Sequence, residues 1–308
     1  MISTFNNCNI GCNIVDPECD SGELYTEDVY RRNIELYRAY GIRHIEFSHV
    51  VSLDEAAGER LREFCRNLGI IPWSIHSEHL NAPGRSELDA YLKVQTRCCK
   101  VAHALDAKVI VCHLPNLVPR AGNIKRDTDI LKRLADITGS FGQKLAVETP
   151  PHDYIIEVVD AVNRDDVGMN LDTGHTALDN CSPARAARLI GKRLFTTHLQ
   201  DNFGVNDDHQ TPGMGLIDWD ELLTAFQDIG YSGPLLMELT TESVKARRSV
   251  RELRDFELEK EILYGKAYLE FVWRKIYAQR NFRKTADSTF HAFREKTHAA
   301  GKEPAAVS

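Results

Sequence analysis

Short apolar runs alternate along this chain with longer segments whose apolar positions recur every three or four residues. The runs fall at residues 4–10, 43–47, 70–76, 108–113, 144–148, 167–172, 194–198 and 234–238. Continuous apolar runs of this length predict strands buried on both faces, and the segments between them predict amphipathic helices. Those helices are expected at about 26–40, 53–68, 86–105, 124–138, 153–163, 183–190 and 218–229. Thr26 is placed to cap the first, and Gly69 to stop the second. Eight strand–helix units close naturally into an α/β fold of the (β/α)8 TIM barrel type. A doubly wound open sheet is the runner-up, weakened by the lack of a GxGxxG turn after an early strand. The barrel is expected to span residues 1–242. A charged helical extension follows at 243–280, with Ile262, Leu269, Val272 and Ile276 forming an apolar stripe. Residues 281–308, basic and ending in AGKEPAAVS, are expected to form a flexible tail.

Composition narrows the function classes. The 308 residues are 43% hydrophobic and 27% charged, an ordinary globular balance. The net charge of −7 disfavours broad binding to nucleic acid, and it is unevenly spread. From Thr241 onward there are 15 Lys and Arg against 10 Asp and Glu, so the barrel portion is the more acidic part. The eight cysteines include no CxxC pair, and several sit in apolar patterns. Reduced, buried thiols and a cytoplasmic protein are expected. The opening MISTFNNCNIG has no basic segment before a long apolar core, so no signal peptide is expected. No apolar run is long enough to span a membrane.

The candidate chemistry lies where the strands stop. Runs five to eight end in Glu148, Asp172, His198 and Glu238. Side chains from separate strands converge at the C-terminal mouth of a barrel. One isolated acid there could be a salt-bridged or capping residue. Four in succession are more economically explained by a shared divalent cation, and oxygen and imidazole donors suit Mn, Mg or Co, with Zn also possible. His76 and His113 end the third and fourth runs. His175 follows Asp172 by three residues, and Asp207 and His209 lie in a glycine-bounded loop. These five are candidates for substrate binding or further metal ligation, against the blander reading of polar residues lining a cavity. Glu46 and His49 carry less weight.

The segments AVETP (146–150), LDTGH (171–175), HLQDN (198–202), DDHQTPGMG (207–215) and MEL (237–239) resemble the xylose isomerase-like TIM barrel superfamily. That group holds sugar and sugar-phosphate isomerases and epimerases, and the endonuclease IV enzymes. Similarity to the epimerases implies one catalytic metal on Glu148, Asp172, His198 and Glu238. It also implies an acid/base pair in Glu148 and Glu238, and a substrate-binding His175. Similarity to endonuclease IV implies three zinc ions on His76, His113, Glu148, Asp172, His175, His198, Asp207, His209 and Glu238. Two features count against the nuclease: the acidic barrel, and Leu199–Gln200–Asp201–Asn202 in place of an Asn-Asp-Ser-Lys type of run. No arginine shortly follows Asp201, which sets the chain apart from some epimerases.

The expected function is therefore a divalent-metal-dependent isomerase or epimerase. It would act on a keto-sugar or related small carbohydrate through an enediolate. Alternatives are a lyase or dehydratase using the same site, an endonuclease IV-like zinc phosphodiesterase, and a non-catalytic binding barrel. The C-terminal helices are candidates for joining copies of the chain.

Overall fold

The computed structural model describes residues 8–15, 25–77, 85–114, 123–148, 152–240 and 254–300, the side chains at 85–87, 152, 254–257, 284 and 286–300 excepted. The strands are β1 (Ile10–Asn13), β2 (His44–Phe47), β3 (Ile71–His76), β4 (Val109–Cys112), β5 (Lys144–Val147), β6 (Val167–Asp172), β7 (Leu194–His198) and β8 (Leu235–Met237). They lie in the order β7-β6-β5-β4-β3-β2-β1-β8, and every pairing is parallel. The two edges meet: the Leu199 amide donates to Leu236 O (2.8 Å) and the Glu238 amide to Leu199 O (3.2 Å). The sheet is thus a closed (β/α)8 TIM barrel, as the pattern of runs predicted.

The helices are α1 (Glu27–Ala39), α2 (Glu55–Leu68), α3 (Arg85–Leu105), α4 (Ile124–Ser140), α5 (His152–Val162), α6 (Thr173–Leu178), α7 (Pro183–Ile190), α8 (Trp219–Ile229) and α9 (Arg254–Ala300). Local chemistry sets their ends. Thr26, Asp54, Asn123, Ser182 and Asp218 each accept a backbone N–H of the first turn, worth about 1 kcal/mol apiece. Gly69 and Gly230 end α2 and α8 in the left-handed conformation. Residues alternate along each strand. Ile45, Phe47, Ile110, Cys112, Leu145 and Val147 join the core between sheet and helices, while Val109, Val111, Ala146, Trp73 and Phe195 pack together in a separate cluster.

Three details depart from the sequence reading. The first strand lies at Ile10–Asn13, later than the expected run at 4–10, of which residues 4–7 fall outside the described part. Asn13 explains the shift. Its carboxamide donates to Leu239 O and accepts from Leu239 N, both at 3.0 Å, which extends the β1–β8 seam beyond the apolar run. Secondly, a short helix, α6, starts directly at Asp172. Thirdly, α9 continues through residue 280 to Ala300, where a loose tail was expected. Between Lys266 and Ala300 there is neither proline nor glycine, and Ala, Lys, Arg and Glu are good helix formers. Residues 243–253 and 301–308 lie outside the described part. The stripe Ile262, Leu269, Val272 and Ile276 is buried, and Arg280 pairs with Asp228 on α8. No described helix is long and apolar enough to cross a membrane. The seven described cysteines are free thiols.

Candidate functional site

Inward alternation on β5 places Glu148 at the mouth, just past the last residue of the strand. On β6 it turns Asn170 and Asp172 the same way, and on β7 it turns Thr196 and His198. Register shifts between Ile45 and Glu46 on β2, and between Met169 and Asn170 on β6, adjust which residues face in.

The four strand-end residues come together. Ligand atoms of Glu148, Asp172, His198 and Glu238 all lie within 4.8 Å of one another. His198 Nδ1 sits 2.9 Å from Glu148 Oε2 and 3.3 Å from Glu238 Oε2. These approaches are close without being hydrogen bonds: buried His198 Nδ1 and Glu238 Oε2 have no hydrogen-bond partner. Two unpartnered ligand atoms gathered with the carboxylates of Glu148 and Asp172 fit a divalent cation, and the carboxylate–imidazole set suits a hard or borderline metal.

The other five candidates border the same basin. His76 Nε2 is 3.3 Å from His113 Nε2 and 3.6 Å from Glu148, and these three could also hold an ion. His175 lies 3.3 Å from Glu148, 3.5 Å from Asp172 and 3.0 Å from Asp207. His209 lies 3.4 Å from Asp207 and 3.5 Å from Glu238. The basin is graded in depth. The His198 side chain is 0% exposed, Glu238 14% and Asp207 38%, so solvent reaches the Asp207 side first. His49 instead stacks on Tyr25, with ring centroids 4.9 Å apart.

Charge in the basin is strongly coupled. Burial alone would push Glu148 up, but the imidazoles of His198, His113 and His175 hold its carboxyl well below the usual range. Glu238 is likewise held low, against burial, by His198 and His209. Asp172 goes the other way: burial lifts it to about 7, with Glu238 and Glu148 adding to the rise and His175 opposing it. Burial opposes charge on the histidines, yet the carboxylates win. Glu148, Glu238 and Glu46 raise His198 well above its ordinary value, and Glu238 with Asp207 and Asp172 takes His209 to about 9.

Several residues that shape the basin were not singled out from sequence. Asn170 Nδ2 donates to Glu148 Oε2 (2.8 Å). It lies two residues before Asp172, so period-two alternation is the signal that would have found it. Gln200 Nε2 bridges Asp172 Oδ2 (3.1 Å) and Asp207 Oδ1 (3.0 Å). Glycine at 174 makes room for it, since a Cβ there would lie 2.3 Å from the Gln200 carboxamide. Asp172 Oδ1 caps α6 by accepting from the His175 amide (2.7 Å), which fixes the His175 backbone beside the basin.

Comparison with known proteins bears on the family and the fold. Over 129 residues the chain is 33% identical to the inosose isomerase of Bacillus subtilis (strain 168), a stretch covering 37% of this chain and 46% of that relative, about half its length. The inosose isomerase of Bacillus velezensis is 25% identical over 235 residues, covering 68% of this chain and 82% of the relative. In fold, the chain matches the crystal structure of D-psicose 3-epimerase with D-tagatose from Clostridium cellulolyticum H10, with a TM-score of 0.69, 18% identity, and coverage of 85% of this chain and 99% of that one. A family profile matches residues 34–258, and the chain belongs to the xylose isomerase-like TIM barrel family.

Proposed function

We propose that this protein is a divalent-metal-dependent isomerase or epimerase acting on a polyhydroxy ketone, either a keto-sugar or a keto-polyol. The reading is carried by the convergence of Glu148, Asp172, His198 and Glu238 within 4.8 Å at the barrel mouth. Similarity to inosose isomerases and a D-psicose 3-epimerase supports the substrate class. Mn, Mg or Co suits the donors best, with Zn possible, and a cytoplasmic setting suits the free thiols.

When bound, the cation supplies Lewis acidity, polarising the ketone so that the neighbouring C–H becomes acidic. The protein's own residues do the rest. One of Glu148 and Glu238 takes the proton α to the carbonyl on a carboxylate oxygen, and the other returns one to the face or carbon that sets the product. Both are held deprotonated by neighbouring imidazoles, so either is ready to accept, and the glutamate that returns a proton first draws that proton from solvent. His175 and His209 flank the two glutamates and are placed to hydrogen-bond substrate hydroxyls. Asn170 and Gln200 hold Glu148 and Asp172 in place. Loss of a leaving hydroxyl instead of proton return would make the same arrangement a lyase.

A second reading draws on the His76–His113–Glu148 cluster, which offers a second ion position. Binding of more than one zinc ion and phosphodiester cleavage would follow, although the acidic barrel is a poor partner for a duplex. The test is incubation with inosose and with D-psicose in D2O, with and without added Mn2+. We expect metal-dependent deuterium incorporation next to the carbonyl of one of them. An absence of exchange on every polyhydroxy ketone tried, at full metal loading, would overturn the isomerase reading.

A further inference from the structure

We propose that Glu46 is a positioning residue for His198, holding its ring so that Nδ1 is the nitrogen turned towards Glu148 and Glu238. This rests on the metal-centre reading above. Glu46 lies on β2, away from the strand-end motifs, and its side chain is buried, as is that of His198. Its Oε1 stands 2.8 Å from His198 Nε2, on the ring edge away from the nitrogen that faces the glutamates. The contact is oblique, but neither atom has any other hydrogen-bond partner. Two complementary buried groups left to one another satisfy each other or remain costly.

The second oxygen of Glu46 is also accounted for. Ser74 Oγ donates to Oε2 at 2.7 Å. Ser74 stands opposite Glu46 in the β2–β3 register because of the shift between Ile45 and Glu46, which passes over Trp73. The irregularity thus re-aims β3 so that a hydroxyl meets the carboxylate. Ser74, Glu46 and His198 form a buried relay of contacts leading to the strand-end cluster, with the carboxylate in the middle. A carboxylate behind a ligating imidazole fixes the ring, keeps the proton on the far nitrogen and raises the basicity of the near one. Asn170 and Gln200 tether two carboxylates of the cluster, and Glu46 does the equivalent for its imidazole.

The experiment is calorimetric titration of Mn2+ into the wild type, Glu46→Leu, Glu46→Gln and Ser74→Ala, with thermal unfolding of each metal-free protein as the folding control. Loss of an outer partner weakens metal binding by about 10–100-fold. We expect Glu46→Leu near the upper end. Glu46→Gln, which keeps an accepting oxygen but not the charge, is expected near tenfold, and Ser74→Ala below it. If both Glu46 variants bind Mn2+ within twofold of wild type, the positioning role is overturned. Should Glu46→Leu fail to fold, wild-type affinity in Glu46→Gln alone overturns it. A wild type that binds no divalent cation would instead sink the metal-centre reading itself, so the two failures are distinguishable.

Discussion

Glu148→Gln and Glu238→Gln are each expected to stop solvent-proton exchange at the reactive carbon, with kcat falling on the order of 10^3-fold at saturating metal. Glutamine keeps the shape and a neutral oxygen donor but cannot take up a proton. The basin concentrates this effect on two residues. Imidazoles surround Glu148 and Glu238 and keep both carboxyls deprotonated, whereas burial leaves Asp172 at about 7, engaged as the α6 cap and with Gln200. Deuterium incorporation followed by NMR at saturating Mn2+ separates chemistry from metal loading. Exchange at the wild-type rate in either variant removes that glutamate from the acid/base role.

Asp201→Ala is expected to destabilise the protein by about 3 kcal/mol. Asp201 is fully buried and gathers four donors: Trp219 Nε1 (2.8 Å), the Gly213 amide (3.1 Å), the Ile217 amide (3.1 Å) and the Asn202 amide (3.0 Å). The long β7–α8 loop, which carries Asp207 and His209, is folded around this carboxylate. Gly215 passes so close that a Cβ would lie 2.3 Å from Asp201 Oδ1 and from Asn202 O. Alanine leaves all four donors unsatisfied. Asp201→Asn keeps the volume but sets an amide N–H against other donors, and should cost somewhat less. Urea unfolding checks both, and a loss below about 1 kcal/mol for alanine would contradict this account of the loop.

The barrel was legible because parallel strands buried on both faces leave continuous apolar runs, and polar residues that end such runs stand out. Glu148, Asp172, His198 and Glu238 were visible for that reason. The residues that support them stand out less. Asn170 sits inside a strand, where alternation from Asp172 gives its inward direction but nothing local announces that it meets Glu148. Glu46 carries little weight in the sequence because it sits in a four-residue strand, too short to show which face is buried, and its meeting with Ser74 depends on a register shift between Ile45 and Glu46. Gln200 and Asp201 follow β7 as ordinary loop polars, and only the folded β7–α8 connection shows what they bind. A basic, histidine-containing composition points to a solvated tail, yet the same residues favour helix, and α9 reaches Ala300.

Titration of the chelator-stripped protein with Mn2+ by calorimetry, in buffers of different ionisation heat, measures the metal centre itself. One strongly bound ion per chain is predicted. The carboxylates hold His198 protonated well above its ordinary range, so its nitrogen must give up a proton before it can bind. Binding should therefore release protons, strengthen as pH rises and weaken as it falls. His198→Ala should lose about 10^2-fold in affinity. A protein that takes up no divalent cation, or whose Mn2+ affinity is unchanged by His198→Ala, would contradict the account.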